Sequence, residues 1–286
     1  MKPYKRRRVF PIILIIIILL LTVLLYDGNT RIDTSEYELI YDNLPESFDG
    51  FRIAVLSDVH AVVFGDSNER LIAKVKAAQP DIIAITGDLI DGSGKPPAEI
   101  QIEIARTLID GLAPIAPMYY ITGNHDWNSG EIWALMEMLE ECGVNILRNK
   151  YAKLESGGET IILAGTDDPN GPADMIKPYD FVRKIKENEG DGFIVMLEHR
   201  NNNLHLYNVL SVDLVLCGHA HGGIIRLPFT DGLIGQQRDW FPTYTNGVYK
   251  VGDTDMVVSR GLGNHTGLPR VFNNPHLVVV ELLAKK

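Results

Sequence analysis

Met118-Tyr119-Tyr120-Ile121-Thr122-Gly123-Asn124-His125-Asp126 is the stretch on which the fold turns. An apolar run of strand length breaks at a glycine into an amide, an imidazole and a carboxylate. Asn and His are poor residues to pack at the end of a buried strand. An amide oxygen and an imidazole nitrogen are, however, good ligands or proton donors. Alone the tetrapeptide Gly123-Asn124-His125-Asp126 is weak evidence. It gains weight because the chain builds the same junction four more times.

Upstream, the run Phe51-Arg52-Ile53-Ala54-Val55-Leu56-Ser57 closes in Asp58-Val59-His60, and residues 81–86 close in Gly87-Asp88-Leu89-Ile90-Asp91. Downstream, residues 193–197 lead to Glu198-His199, and residues 213–217 lead to Gly218-His219-Ala220-His221. Between the first three runs the apolar period becomes helical. The pattern predicts a helix over 67–78 with Leu71, Val75 and Ala78 on one face, and another over 98–112 burying Ile100, Ile104 and Leu108. A third spans 131–142, with Ile132, Leu135 and Leu139 inward and Gly143 past its end. The second half is richer in strands, at 160–165, 256–259 and 277–280, and residues 38–41 read as an edge strand. No linker interrupts residues 37–286. The expected fold class is α/β: one layered β-sandwich flanked by helices.

With 286 residues and 45% apolar content the chain can bury a full core, and 22% charged residues with no repeat argue against disorder. The formal charge is -10, and five of the basic residues lie in the first eight; without them 22 basic residues face 37 acidic ones. That balance excludes broad binding to nucleic acid through a basic surface. It allows a small anionic substrate, because bound cations supply positive charge locally. Two cysteines, Cys142 and Cys217, do not make a disulfide framework and read as packed thiols.

Residues 9–26 are almost entirely Ile, Leu and Val, long enough to cross a hydrocarbon core as one helix. The basic tail 1–8 should stay cytoplasmic, which places everything after Asp27 on the far side of the cell membrane. No small-x-small cleavage site follows the apolar run, so an uncleaved single-pass anchor is expected, with a twin-arginine-like export signal at Arg7-Arg8 as the alternative. Residues 27–36 read as a polar tether.

Ligands in α/β sheets collect beyond the carboxyl ends of the strands, so the five junctions should converge on one crevice. They bring imidazoles, carboxylates and an amide but no thiolate, which suits divalent ions such as Mn, Fe or Zn. The ligands are too many for one tetrahedral ion, so two metals sharing a carboxylate are expected. Two such cations clamp a phosphoryl oxygen and turn a bridging water into hydroxide for in-line attack. The leaving oxygen then needs a proton. His125 suits a general acid, with neighbouring Asn124 as a ligand and Asp91 orienting the imidazole and keeping it protonated.

Asp-x-His, Gly-Asp-x-x-Asp, Gly-Asn-His-Asp, a lone His and Gly-His-x-His, in this order, resemble the calcineurin-like metallophosphoesterase family. The similarity covers residues 36–286 and leans toward the membrane-anchored or exported bacterial branch called YkuE-like or YaeI-like. Val258-Ser259-Arg260-Gly261-Leu262-Gly263 and Pro269-Arg270-Val271-Phe272-Asn273-Asn274-Pro275 resemble the C-terminal signature of that branch. The resemblance implies that Asp58, His60 and His221 hold one metal, that Asn124, His199 and His219 hold the other, and that Asp88 bridges them. It also implies His125 as proton donor and Asp91 as its partner. Protein phosphatases of the family carry Arg after the carboxylate matched by Asp91, where this chain has Gly92, so a protein phosphatase is disfavoured. The contexts Glu198-His199-Arg200-Asn201-Asn202 and Gly222-Gly223-Ile224 also depart from close relatives, which bears on substrate rather than metals.

The expected function is a dinuclear phosphoesterase acting on a diester or monoester. Two alternatives stay open: a pyrophosphatase on a lipid- or nucleotide-linked diphosphate, such as a UDP-sugar lipid precursor, and a non-catalytic metal-bearing interaction domain. Expected partners are a phosphorylated small molecule or lipid-linked substrate and the membrane itself. Arg200 and Asn201 are candidate phosphate contacts. Asp167 and Asp168 are either outer carboxylates of the site or solvated. His205, His265 and His276 read as surface or structural, and Trp127, Trp133 and Trp240 as core or rim.

Overall fold

The computed structural model describes residues 6–172, 176–227, 231–235, 240–264 and 267–286. Helix α1 (Arg6–Thr30) is followed by β1 (Asp33–Tyr41), β2 (Phe51–Leu56), α2 (Glu69–Ala77), β3 (Ile82–Thr86), α3 (Ala98–Leu112), β4 (Met118–Ile121), α4 (Asn124–Asn128), α5 (Ile132–Glu141) and β5 (Asn145–Ile146). The second half supplies β6 (Lys150–Ser156), β7 (Glu159–Gly165), α6 (Pro178–Glu189), β8 (Ile194–Leu197), α7 (Leu204–Val209), β9 (Leu214–Cys217), β10 (Gly247–Val251), β11 (Thr254–Val258) and β12 (His276–Ala284).

Two six-stranded sheets result, in the orders β1-β12-β2-β3-β4-β5 and β10-β11-β9-β8-β7-β6. Strands β2, β3, β4 and β5 run parallel, as do β7, β8, β9 and β11. All the ligand-bearing junctions therefore leave the same kind of strand end. Along β2, alternate residues serve different cores. Ile53 and Val55 face the opposing sheet with Val195, Leu197 and Leu216, while Ala54 and Leu56 pack under α2, α3 and α5 with Leu71, Leu108 and Leu135. A third core joins the second sheet to α6 and α7 through Met196, Val215, Phe181 and Tyr207. The architecture is a helix–sheet–sheet–helix sandwich, as expected. Burial on both faces explains the continuous apolar runs. Each fully buried Leu, Ile or Val contributes roughly 1.5–3 kcal/mol.

Three expectations change. Residues 27–36 are not a tether. Their first part is the last turn of α1, and their second part is β1, which pairs in parallel with β12 from Asp33↔His276 onward. The polar residues there are ordered by partners: Arg31 pairs with Asp27 at 2.9 Å, and Asn274 donates to the Asp27 carbonyl at 2.9 Å. Second, α3 is rotated by about one residue from its expected face. Ile100 is exposed, and Gln101, Ala105, Leu108, Ile109 and Leu112 are buried. Gln101 turns inward because its side chain clasps the backbone of Asp91, accepting the Asp91 N–H at 2.5 Å and donating to the Asp91 carbonyl at 3.0 Å. Third, the edge strand begins earlier than residue 38, at Asp33.

In α1, the stretch Phe10–Thr30 is long and apolar enough to cross a membrane, and residues 10–23 are exposed throughout. Residues 1–5 of the expected basic tail lie outside the described residues.

Candidate metal centre

The loops after β2, β3, β4, β8 and β9 converge on one crevice and bring together all nine residues expected there. Asp58, His60 and His221 form one cluster, with His221 Nε2 3.2 Å from Asp58 Oδ1 and 3.2 Å from His60 Nε2. Asp88, His199 and His219 form a second, with His199 Nε2 3.2 Å from Asp88 Oδ2 and His219 Nδ1 3.2 Å from His199 Nε2. Asn124 Oδ1 joins that second cluster 3.1 Å from His199 Nε2. Asp88 lies between the two, because the same Oδ2 stands 3.8 Å from His60 Nε2.

Backbone strain marks the site. Asp58, His60, Asp88, His219 and His221 all have φ between 46° and 65°. A side-chain-bearing residue in that region costs on the order of 1–2 kcal/mol. Local sequence preference would not choose it five times in one crevice; the surrounding loops hold it. Gly123 shows how tightly. A Cβ at that position would stand 2.2 Å from Asp88 Oδ1. Only glycine lets the loop after β4 close over the Asp88 carboxylate, whose Oδ1 accepts the His125 N–H at 2.7 Å.

The donor set fits cations. His199 Nδ1 donates to the Thr86 carbonyl at 2.9 Å, which leaves Nε2 facing two acceptors, Asp88 Oδ2 and Asn124 Oδ1. Lone pairs converging in a buried crevice repel unless positive charge sits among them. Burial opposes charge on His199, yet the carboxylates of Asp88, Asp58 and Asp168 outweigh it and raise its pKa to about 10. A proton or a metal ion meets the same demand. Burial likewise disfavours the Asp58 carboxylate, but His221, His199 and His60 hold its pKa well below the usual range. His219 moves the other way, lowered to about 3 by burial and by His199.

Beside this pair of clusters, His125 Nδ1 lies 3.1 Å from Asp91 Oδ1. Burial works against the imidazolium, while the Asp91 hydrogen bond and the Asp88 and Asp58 charges prevail and raise the His125 pKa. Asp91 is pushed up by burial but ends lower than usual through His125 and the Ser93 hydroxyl, which donates at 2.6 Å.

Several supporting residues lie within the quoted motifs, but the sequence alone assigns them no role. Asp126, fully buried, accepts the N–H groups of Asp88, Gly123 and Ile90 and the Tyr120 hydroxyl, tying the loops after β3 and β4 together. Asn273 donates to the His221 carbonyl at 2.7 Å. Arg270, 2% exposed, donates to the carbonyls of Arg260, Gly261, Gly263 and Asn273, and its Nη2 stands 3.4 Å from His221 Nδ1. The last two belong to the C-terminal signature, which is their only visible sign.

Among the open candidates, Arg200 places its guanidinium fork on Asp168 at 2.8 and 2.9 Å, and Asn201 donates to the Tyr244 carbonyl at 2.6 Å. Asp167 accepts from Trp127 Nε1 at 2.9 Å and from Arg148 Nε at 2.5 Å, so both carboxylates brace loops around the crevice. His276 is a buried structural residue: Nδ1 accepts the Arg260 N–H at 3.3 Å, which leaves Nε2 to donate to Ser35 Oγ at 2.9 Å. His205 is exposed, and His265 lies outside the described residues.

A family model described as calcineurin-like phosphoesterase matches residues 51–223. The metallophosphoesterase YkuE of Bacillus subtilis (strain 168) is 30% identical over 256 residues, covering 88% of this chain and 85% of the relative. A Danio rerio protein described as a transmembrane protein with metallophosphoesterase domain is 30% identical over 249 residues, covering 82% of this chain and 53% of the relative, so this chain spans about half of that protein. The crystal structure of TT1561 of Thermus thermophilus has a TM-score of 0.49 at 15% identity, covering 75% of this chain and 90% of that one. The chain belongs to the calcineurin-like phosphoesterase family and is a phosphoric ester hydrolase.

Proposed function

We propose that the protein hydrolyses a phosphoester bond at a site whose two clusters, with Asp88 between them, would hold two divalent cations, and with His125 as the general acid. The observation that carries this reading is the shared carboxylate. Asp88 Oδ2 faces His199 of one cluster and His60 of the other, and the His125–Asp91 pair stands alongside. Asp58, His60 and His221 would hold one ion and Asn124, His199 and His219 the other. When bound, such a pair supplies Lewis-acid polarisation of the phosphoryl group and a water acidic enough to attack near neutral pH.

The chain's own residues do the rest. The Thr86 carbonyl fixes the His199 tautomer so that Nε2 faces the crevice. Asp126 holds the Asp88 and Gly123 backbones in register. Asp91 keeps the His125 ring oriented through Nδ1, so Nε2 carries the proton delivered to the leaving oxygen. Burial opposes the imidazolium, but the Asp91 hydrogen bond and the Asp88 and Asp58 charges favour it, which supports a proton on His125.

Helix α1 supports membrane association, as does the likeness to a relative described as transmembrane. On the charge rule the basic end stays cytoplasmic and the domain lies outside the cell membrane, attached through an uncleaved span. Protease added to intact cells should then digest the domain, and protection of the whole domain would reverse this topology.

The functional test uses the full chain in detergent, with metal content determined and Mn then supplied. Turnover of bis(4-nitrophenyl) phosphate and 4-nitrophenyl phosphate is compared for wild type, Asp88→Asn and His125→Ala. Turnover lost in Asp88→Asn supports the shared-carboxylate mechanism. Two metals bound without turnover of either ester would favour a non-catalytic domain, and failure to bind metal would remove the site assignment.

A further inference from the structure

Helix α1 is docked on the loop that braces the candidate metal centre. The Arg270 N–H donates to Asn29 Oδ1 at 3.0 Å, and Asn29 Nδ2 donates back to the Arg270 carbonyl at 3.2 Å. Gly28 makes the approach possible, since a Cβ there would lie 2.9 Å from the Arg270 oxygen. The other end of Arg270 reaches His221 Nδ1 at 3.4 Å. One arginine therefore separates the last turn of the anchor from an expected metal ligand.

The apolar run of α1 ends at Tyr26. At 1.5 Å per residue, Asn29 lies roughly 4–5 Å beyond the hydrocarbon boundary, inside a headgroup layer about 5–8 Å deep. A small ladder starts at Val271, the neighbour of Arg270. Val271 pairs with Ile225, Leu233 donates its N–H to the Ile225 carbonyl, and Phe241 donates to the Leu233 carbonyl. At about 4.8 Å per rung this spans roughly 15 Å. The ladder and its flanks expose large apolar side chains: Trp240 at 71%, Phe241 at 70%, and Leu227, Leu268 and Phe272 at nearly half. Tyr26, 71% exposed, stands at the end of the apolar run of α1. Aromatic residues at the rim of a membrane-crossing helix are the usual occupants of the bilayer–water interface. The patch follows directly on Arg270, which the last turn of the anchor holds, and an exposed apolar surface placed there has the bilayer as its partner.

We propose that residues 224–227, 240–241 and 267–274 seat the mouth of the site in the headgroup layer, and that the substrate is a phosphate or diphosphate ester carried on a lipid. This substrate class rests on the phosphoesterase reading above. In the reaction a water oxygen bonds to phosphorus, the P–O bond on the leaving side breaks, the leaving oxygen takes the proton from His125, and the water's proton replaces it by way of solvent.

The test uses the full chain reconstituted into phosphatidylcholine vesicles. Subtracting the emission of Trp240→Phe from that of wild type isolates Trp240, because Trp127 and Trp133 are common to both. Lipids carrying a nitroxide near the headgroup should quench most of that difference signal. In a second arm, vesicles doped with phosphatidic acid or with a polyprenyl diphosphate are compared with water-soluble 4-nitrophenyl esters. The double variant Trp240→Ser/Phe241→Ser should turn over the soluble esters within about twofold of wild type and lose about tenfold on a vesicle-borne phosphate, the effect expected when local concentration is removed. An unquenched Trp240 overturns the inference, including the case where it is shielded by a second copy of the chain. So does turnover of soluble esters with none on vesicles. Loss of all turnover in wild type would instead indict the phosphoesterase reading and leave the quenching result to decide the membrane seat alone.

Discussion

Asp126 Oδ2 accepts the backbone N–H of Asp88 at 2.8 Å, so two carboxylates from different strand ends are joined through one peptide group. Burial and the Asp88 charge push the Asp126 pKa up to about 7 against the four donors that favour its ionised form. Asp126→Asn would keep one oxygen and turn an amide NH2 against at least one of those donors. The expected cost is about 2–3 kcal/mol of stability. Metal affinity should fall by roughly 10–100-fold, as for other groups that orient a ligand. Thermal melts and metal titration of the purified variant check both. Unchanged values would remove Asp126 from the support of the site.

The His125–Asp91 pair sets a pH limb. As the proposed general acid His125 would need its proton, and its pKa is raised, so activity should hold through neutrality and fall as pH rises through that raised value. Asp91→Asn removes the partner charge and should move the alkaline limb toward lower pH. His125→Ala should slow an alkyl ester by about 10²–10⁴-fold. With a 4-nitrophenolate leaving group, which needs no proton, the loss should be much smaller. Equal losses on both substrates would exclude the general-acid role.

Metal binding should release protons. The carboxylates of Asp88, Asp58 and Asp168 raise the His199 pKa to about 10 against burial, so its imidazole should be protonated at pH 8 in the metal-free protein. A metal ligand must be unprotonated, so Mn binding should expel about one proton per chain at that pH. Calorimetry in two buffers of different ionisation enthalpy reads this number directly. A value near zero would mean that His199 does not enter the coordination shell.

Gly123→Ala tests the closeness of the loop after β4 to Asp88. A methyl group 2.2 Å from Asp88 Oδ1 forces the carboxylate or the loop to move. Bound metal should drop below two per chain and turnover fall by about 100-fold or more, in keeping with an ångström-scale misplacement. Full metal content with native activity would show that the loop yields freely.

Arg270→Lys tests the brace under His221. A single ammonium cannot reach the four carbonyls that the guanidinium fork satisfies. The expected loss is roughly 2–4 kcal/mol, from buried carbonyls left without donors. A melt within a degree or so of wild type would show that water replaces the fork.

The junctions are legible in the sequence because each ligand follows directly on the strand that positions it. Asp58, Asp88, Asn124, His199, His219 and His221 need no distant information beyond the rule that parallel strands point their ends one way. What escapes depends on partners far along the chain. Helical period alone turns Ile100 inward, yet Gln101 takes its place because it holds the Asp91 backbone. Residues 27–36 look polar enough for a tether, yet Asn29 and Asp27 are committed to Arg270 and Asn274. Arg200 follows a ligand and carries the right charge for phosphate, but Asp168 takes its fork. Polarity predicts that a side chain will find a partner; it does not say which.

Strand β12 is wedged between β1 and β2, although it follows them by more than two hundred residues. The first sheet cannot close until that late segment arrives, and β1 has no ladder partner before then. Joining β1 to the rest of the sheet is therefore a late, long-range step of folding, set by the sequence separation of β1 and β12.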